Sequence, residues 1–270
     1  MFKAVISDLD GTLLNAEHKV GEFTRETVKL LLEKGIKFYI ATGRNYLGAK
    51  EAMDELGIKV PLITSHGSAA FDENGNEIFS NKLKREYLDK VLDIDYKSFG
   101  KDIIITGYSG PNWFVTEDLR EYFYNKKPDR TRYPKQITPE EFRKHDFAKI
   151  FFLGEKHSEL LALENEIKKA VGEGNVSLLF ANKGSLEVFS ASCNKAKAAE
   201  TVLKRDGLTL DDAVSFGDGV NDYDLITETG LGFAMGNSIY LLLEKLTDTE
   251  IIGSNAEDGM AKKVRELFNL

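Results

Sequence analysis

Strand-like and helix-like segments alternate from the start of this chain, and that rhythm restricts the folds open to it. Ala4-Val5-Ile6 reads as a buried strand, 24–34 as an amphipathic helix, 36–42 as a second strand, 46–56 as a helix and Leu62-Ile63-Thr64 as a third strand. A βαβαβ succession implies a parallel sheet with right-handed crossovers. Asn74-Gly75 between apolar flanks then signals a hairpin over Ala69–Phe79.

The middle follows a different pattern. Helices are expected at 84–98, 117–125, from Pro139 and at 156–171, with strands at 102–108, 113–116, 148–153 and 176–180. Thr138-Pro139 has the cap and first-turn residues of a helix start. Strand pairs interleaved with helices point to an α+β insert over 83–185. After it, βα units resume, with helices at 195–205, 221–228, 238–246 and 257–268 and strands at 213–217, 231–235 and 249–252. The expected fold class is therefore α/β: a Rossmann-like parallel-sheet core, 1–82 and 186–270, interrupted by an α+β insert at 83–185.

Composition narrows the function. The net charge of -8 and the lack of a long basic run argue against nucleic acid as a main partner. An anionic ligand would need a local positive site, since distant charge is screened beyond about 10 Å. The single cysteine, Cys193, excludes an internal disulfide and suits a reducing cytosol. The amino terminus lacks the apolar stretch of a signal peptide, and no segment approaches a membrane span, so a cytoplasmic location is expected.

The first strand ends in Asp8-Leu9-Asp10-Gly11-Thr12. Two carboxylates at a strand end repel unless a divalent metal, a phosphoryl group or a shared proton lies between them. Asp-Gly is also a common turn pair. Three further segments share the first one's placement: Thr42-Gly43-Arg44 ends the second strand, Asn194-Lys195 opens a helix after the insert, and Gly217-Asp218-Gly219-Val220-Asn221-Asp222 follows the strand at 213–217. Alone, the second is a turn, the third a solvated helix start and the fourth a loop with a helix cap. Together they fall along one edge of an open α/β sheet, where ligands bind.

A phosphoryl group with Mg2+ accounts for every member. Asp8 is the candidate nucleophile, forming an acyl phosphate, and Asp10 the candidate general acid and base. Thr42 offers a hydroxyl to a phosphate oxygen, Gly43 a close backbone approach, and Lys195 a compact charge. Asn221 would orient Asp222 or a phosphate oxygen. Asp218 and Asp222 supply hard oxygens for Mg2+, which lets an anionic nucleophile approach an anionic substrate.

In these four motifs the chain resembles the haloacid dehalogenase superfamily, and within it the Cof-type sugar phosphatases with a type IIB cap. The likeness extends to Ala234-Met235-Gly236-Asn237 and Ser254-Asn255-x-x-Asp258-Gly259. It implies Mg2+ held by the Asp8 carboxylate, the Asp10 main-chain carbonyl and Asp218, with Asp222 in support, and a cap domain where the insert lies. It also implies small phosphorylated metabolites as substrates, often sugar phosphates, and a monomer or weak homodimer. The chain departs from the pattern at His66-Gly67, where Asn-Gly is usual, at Ala196, where Gly follows the lysine, and at Ser192-Cys193-Asn194 before it. His66 is expected to be a turn residue, with a substrate-facing role as the alternative.

Asp10 can activate water, so hydrolysis or mutase chemistry is expected rather than ion pumping. Within the insert, Tyr108, Trp113, Tyr122, Tyr124 and Tyr133 read as cap core that could also stack on a sugar or ring. Lys126 to Arg132 reads as a solvated basic loop. The competing functions are a phosphotransferase or phosphomutase using the same aspartyl phosphate, and a metabolite sensor, which the intact Asp8 and Asp10 disfavour.

Overall fold

The computed structural model describes residues 2–110, 112–119 and 133–270. The expected helix at 117–125 lies almost wholly outside them, as do Tyr122, Tyr124 and the basic stretch at 126–132. The chain forms two compact units, Met1–Phe79 with Asn194–Leu270, and Ser80–Cys193.

The first unit is built on an eight-stranded sheet. Its strands are β1 (Ala4–Ser7), β2 (Lys37–Ala41), β3 (Leu62–Thr64), β4 (Ala69–Phe71), β5 (Glu77–Ser80), β12 (Ala213–Gly217), β13 (Leu231–Ala234) and β14 (Glu250–Ile251), in the order β14-β13-β12-β1-β2-β3-β4-β5. From β14 to β3 all pairings are parallel; β3 and β4 are antiparallel. Every β1 residue is buried, as expected of a strand covered on both faces.

Alternation along the strands sorts two cores. Val5, Phe38, Ile40, Val214 and Phe216 pack with α1 (Glu22–Glu33), α2 (Tyr46–Leu56) and α9 (Gly259–Phe268) through Val28, Leu31, Met53, Met260 and Val264. Ala4, Ile6, Tyr39, Ala41 and Ala213 pack with α6 (Lys195–Arg205) and α7 (Tyr223–Glu228) through Ala198, Ala199, Val202 and Leu225. The result is the helix–sheet–helix layering expected of a parallel sheet.

The second unit holds a six-stranded sheet, ordered β10-β11-β9-β6-β7-β8, from β6 (Ile104–Ser109), β7 (Asn112–Val115), β8 (Lys135–Gln136), β9 (Lys149–Leu153), β10 (Val176–Asn182) and β11 (Ser185–Ser190). Its pairings are antiparallel except β7 with β8. One face carries Ile105, Phe114, Ile150, Phe152, Leu186 and Val188, which pack with Leu88 and Val91 of α3 (Arg85–Leu92) and Leu160, Leu163 and Ile167 of α5 (His157–Val171). A short α4 (Pro139–Phe142) is capped by Thr138, whose hydroxyl accepts the Glu141 N–H at 3.1 Å.

The expected boundary at 185/186 falls inside a hairpin. β11 pairs with β10 on one side and β9 on the other, so this unit continues to Cys193. The expected helix at 84–98 ends at Leu92, and that at 238–246 reduces to α8 (Tyr240–Leu243).

Candidate active site

The site is assembled at the carboxyl ends of neighbouring strands. Asp8 follows β1, and its N–H donates to the Phe216 carbonyl of β12 at 3.0 Å. Ser7 lies opposite Ile40 in the β1–β2 register, which puts Asp8 and Thr42 at the same sheet edge. After Asp8 the chain makes a tight turn over Leu9–Leu13, with Gly11 at φ +80°. A Cβ on Gly11 would sit 2.4 Å from Asp218 Oδ2. Only glycine allows both this left-handed conformation and this approach.

Lys195 joins the segments. It is completely buried, and its Nζ donates to Asp8 Oδ1 at 2.6 Å and Asp222 Oδ1 at 2.5 Å. Its position is fixed by the start of α6, where Asn194 caps the helix by accepting the Lys197 N–H at 2.7 Å. The other Asp222 oxygen accepts the N–H groups of Asp218 and Gly219 at 3.0 and 2.9 Å. Asp222 therefore shapes the loop that presents Asp218. Asp218 in turn accepts the Thr12 hydroxyl at 3.0 Å.

Three carboxylates, Asp8, Asp218 and Asp222, bring oxygens within 4.8 Å of one another, with one buried ammonium among them. Burial, followed by the charges of Asp222 and Asp218, drives the Asp8 carboxyl well above its usual range despite Lys195. Burial and the Asp222 charge push Asp218 up to about 6. Burial disfavours the Lys195 ammonium, but Asp222 and Asp8 outweigh it and raise that group's pKa. Excess negative charge among hard oxygen donors fits a divalent cation such as Mg2+. Asp222 has both oxygens engaged by protein donors, whereas Asp8 and Asp218 retain free acceptor capacity.

The remaining candidates flank this cluster. Arg44 forks onto Asp10, Nε to Oδ2 at 2.7 Å and Nη2 to Oδ1 at 2.5 Å. The Thr42 hydroxyl is buried and accepts the Arg44 N–H at 3.1 Å, leaving its proton for another acceptor. Asn221 lies half-buried in the turn Val220–Asp222. His66 is buried at φ +58°, between Ser65 at +50° and Gly67 at +88°. Its ring lies against Gly43, where a Cβ would approach Cε1 to 2.4 Å. The Ser65 and His66 N–H groups donate to the Arg44 and Thr42 carbonyls at 2.7 and 3.1 Å, so this strained turn braces the Thr42–Arg44 segment.

Of the residues expected from the sequence, the structure brings Asp8, Lys195, Asp218 and Asp222 together as neighbours. The sequence reading missed the Arg44–Asp10 fork, the Thr12–Asp218 bond and Asn237, whose amide donates to the Gly11 carbonyl at 2.8 Å. Thr12, Arg44 and Asn237 each stood in a quoted motif, but no local pattern disclosed their partners.

Fold and site together define a strand-end carboxylate–lysine centre on a doubly wound α/β sheet. The family model for haloacid dehalogenase-like hydrolases matches residues 5–264, and the chain belongs to that family. Among its relatives is a Buchnera aphidicola subsp. Baizongia pistaciae protein whose name gives phosphatase as an inferred activity, 36% identical over 99% of both chains. Another is the HMP-PP phosphatase of Yersinia pestis, 29% identical over 97% of this chain and 93% of its own. A haloacid dehalogenase-like hydrolase structure from Bacteroides thetaiotaomicron superposes with a TM-score of 0.82 at 24% identity, covering 99% of this chain and all of the other. At these identities the structural likeness establishes the fold.

Among the described residues no helix is long and apolar enough to cross a membrane.

Proposed function

We propose that this chain is a Mg2+-dependent phosphomonoesterase that hydrolyses small phosphorylated metabolites, sugar phosphates foremost, through an aspartyl phosphate on Asp8. The observation that carries this reading is the ammonium of Lys195 shared by the Asp8 and Asp222 carboxylates beside Asp218. The family and the phosphatase names among its relatives support it.

In this reading an Asp8 oxygen attacks phosphorus, the bond from phosphorus to the leaving oxygen breaks, and Asp10 delivers a proton to that oxygen. Asp10 next takes a proton from water, whose oxygen attacks phosphorus. The bond to Asp8 breaks and inorganic phosphate leaves. Both Asp10 oxygens are engaged by Arg44, so each proton transfer requires this fork to open. Thr42, the Gly43 backbone, Lys195 and Asn221 hold the phosphoryl oxygens. Lys195 also fixes the Asp8 carboxylate in one orientation. Mg2+ would be held by Asp8, the Asp10 main-chain carbonyl and Asp218, with Asp222 in support, and would supply charge neutralisation between nucleophile and substrate. Residues 80–193 are assigned as the cap.

The test is release of inorganic phosphate from a panel of phosphorylated metabolites, with and without Mg2+. Activity that needs Mg2+ and disappears in Asp8→Asn is expected. Release that persists in Asp8→Asn overturns the reading. Transfer of the phosphoryl group to an added sugar in preference to water identifies a phosphotransferase instead.

A further inference from the structure

Two segments of the sequence take no part in the chemistry described so far: Ala234-Met235-Gly236-Asn237 and Ser254-Asn255-x-x-Asp258-Gly259. The structure sets them side by side. They follow the neighbouring strands β13 and β14, and the Asn255 N–H donates to Asn237 Oδ1 at 2.8 Å. Gly236 permits the approach, since a Cβ there would lie 2.8 Å from the Ile252 carbonyl oxygen.

Both asparagines reach the turn that follows Asp8. Asn237 Nδ2 donates to the Gly11 carbonyl and Asn255 Nδ2 to the Leu14 carbonyl, each at 2.8 Å. The Gly11 carbonyl is one peptide beyond the Asp10 carbonyl proposed above to hold Mg2+. The segment carrying Asn237 is tied to Asp218 as well. The Met235 N–H donates to the Gly217 carbonyl and the Ile239 N–H to the Asp218 carbonyl, both at 3.0 Å. The Thr12 hydroxyl on Asp218 closes the circuit. Turn, asparagine and Asp218 loop thus form one ring of hydrogen bonds.

Core packing does not account for this ring. Asn237 is exposed and fills no cavity. Both ends of its amide are nevertheless committed to backbone groups, the oxygen to an N–H and the nitrogen to a carbonyl, which fixes its orientation. Asn255 has a braced seat. The Ser254 hydroxyl donates to Glu257 Oε2 at 3.0 Å, the Gly259 N–H to the Ser254 carbonyl at 2.9 Å, and the Thr24 hydroxyl to Asp258 Oδ1 at 3.1 Å.

A closed ring sets a separation. Mg2+ demands a small, near-octahedral set of oxygens, whereas Ca2+ accepts wider and more flexible sets. We propose that Asn237 and Asn255 are positioning residues that fix the spacing between the turn after Asp8 and the Asp218 loop, so that the site selects a small divalent cation over a larger one. This rests on the metal-dependent phosphatase reading and names what sets its choice of metal.

The test uses the full chain, with Asn237→Ala and Asn255→Ala made singly. Amide hydrogen exchange of the metal-free protein reads the turn itself. The Leu13 and Leu14 N–H groups donate to the Asp8 and Leu9 carbonyls. They should exchange about tenfold faster in either variant, the loss of one hydrogen bond bracing the turn. Calorimetry then reads the cation. Mg2+ binding should weaken about tenfold in Asn237→Ala and Ca2+ binding by less than about threefold. Tyr39→Phe loses a hydrogen bond to Asp206 outside this ring and should keep the unaltered preference for Mg2+ over Ca2+.

Turn amides that exchange at the unaltered rate in both variants overturn the proposal. So does a loss for Ca2+ as large as that for Mg2+, the mark of general loosening, or a preference that falls as far in Tyr39→Phe. Failure of the phosphatase reading is seen separately, as no Mg2+-dependent hydrolysis of p-nitrophenyl phosphate by the unaltered protein.

Discussion

Replacing Lys195 by methionine tests the electrostatics of the core directly. The substitution keeps most of the volume but leaves Asp8 and Asp222 buried side by side without their shared ammonium, which now lies within 2.6 Å of both. The lysine side chain is 0% exposed and its partners 7% and 1%, so solvent screens little of the loss. Breaking a buried pair by removing one partner costs about 3–5 kcal/mol. For a chain of this size each kcal/mol moves the melting temperature by about 2–4 °C, so Lys195→Met should melt about 6–20 °C lower. The assay is thermal unfolding followed by circular dichroism at neutral pH in chelator. Adding Asp8→Asn should recover part of the loss by removing one stranded charge, and Mg2+ should recover part of it if the carboxylates hold the ion. A Lys195→Met protein that melts within about 2 °C of the unaltered one in chelator refutes the reasoning.

Three further outcomes are expected. The folded-state pKa of Asp218 is raised from 3.8 to about 6, so the folded chain binds this proton more tightly than the unfolded one. The metal-free protein should therefore lose stability from this group as pH rises through that window. Mg2+ should bind more weakly below about pH 6, where protons compete, and calorimetry of Mg2+ binding against pH checks this. Gly11→Ala puts a Cβ against Asp218 at φ +80°; displacement of this carboxylate by about 1 Å should lower Mg2+-dependent phosphate release about 100-fold. Tyr39→Phe removes a buried hydroxyl's bond to Asp206; stability should fall by about 1.5–3 kcal/mol with kcat unchanged, measured by denaturant unfolding and steady-state kinetics.

The parallel core was legible because β1, β2 and β3 are short apolar runs separated by amphipathic helices, a pattern written locally. The strand-end placement of Asp8, Thr42 and Asp218 followed from that topology alone. Lys195 was a weak signal by itself, because what distinguishes it from a solvated lysine is burial against acids 187 and 27 positions away. The strand β11 was missed although Leu186 and Val188 alternate with Glu187 and Phe189. Glu187 looks solvent-facing until Lys149, 38 residues earlier, is placed beside it. His66 was expected to be a turn residue, and it does occupy a turn; its contact with Gly43 depends on a strand neighbour that no local pattern announces. Long-range pairing of charges and close backbone approaches are what the sequence withheld.

The central strand β1 has its partner β12 more than 200 residues further along the chain, and Lys195 lies just past the point where the polypeptide re-enters the first unit. A nascent chain therefore displays Asp8 long before the ribosome has made Lys195, its counter-charge. Closing so wide a loop is entropically slow, and an amino-terminal fragment that stops short of α6 carries Asp8 without Lys195 and with β2 but not β12 beside β1. Such a fragment should neither trap phosphate nor protect β1 from proteolysis, which makes late synthesis the moment at which this catalyst comes into being.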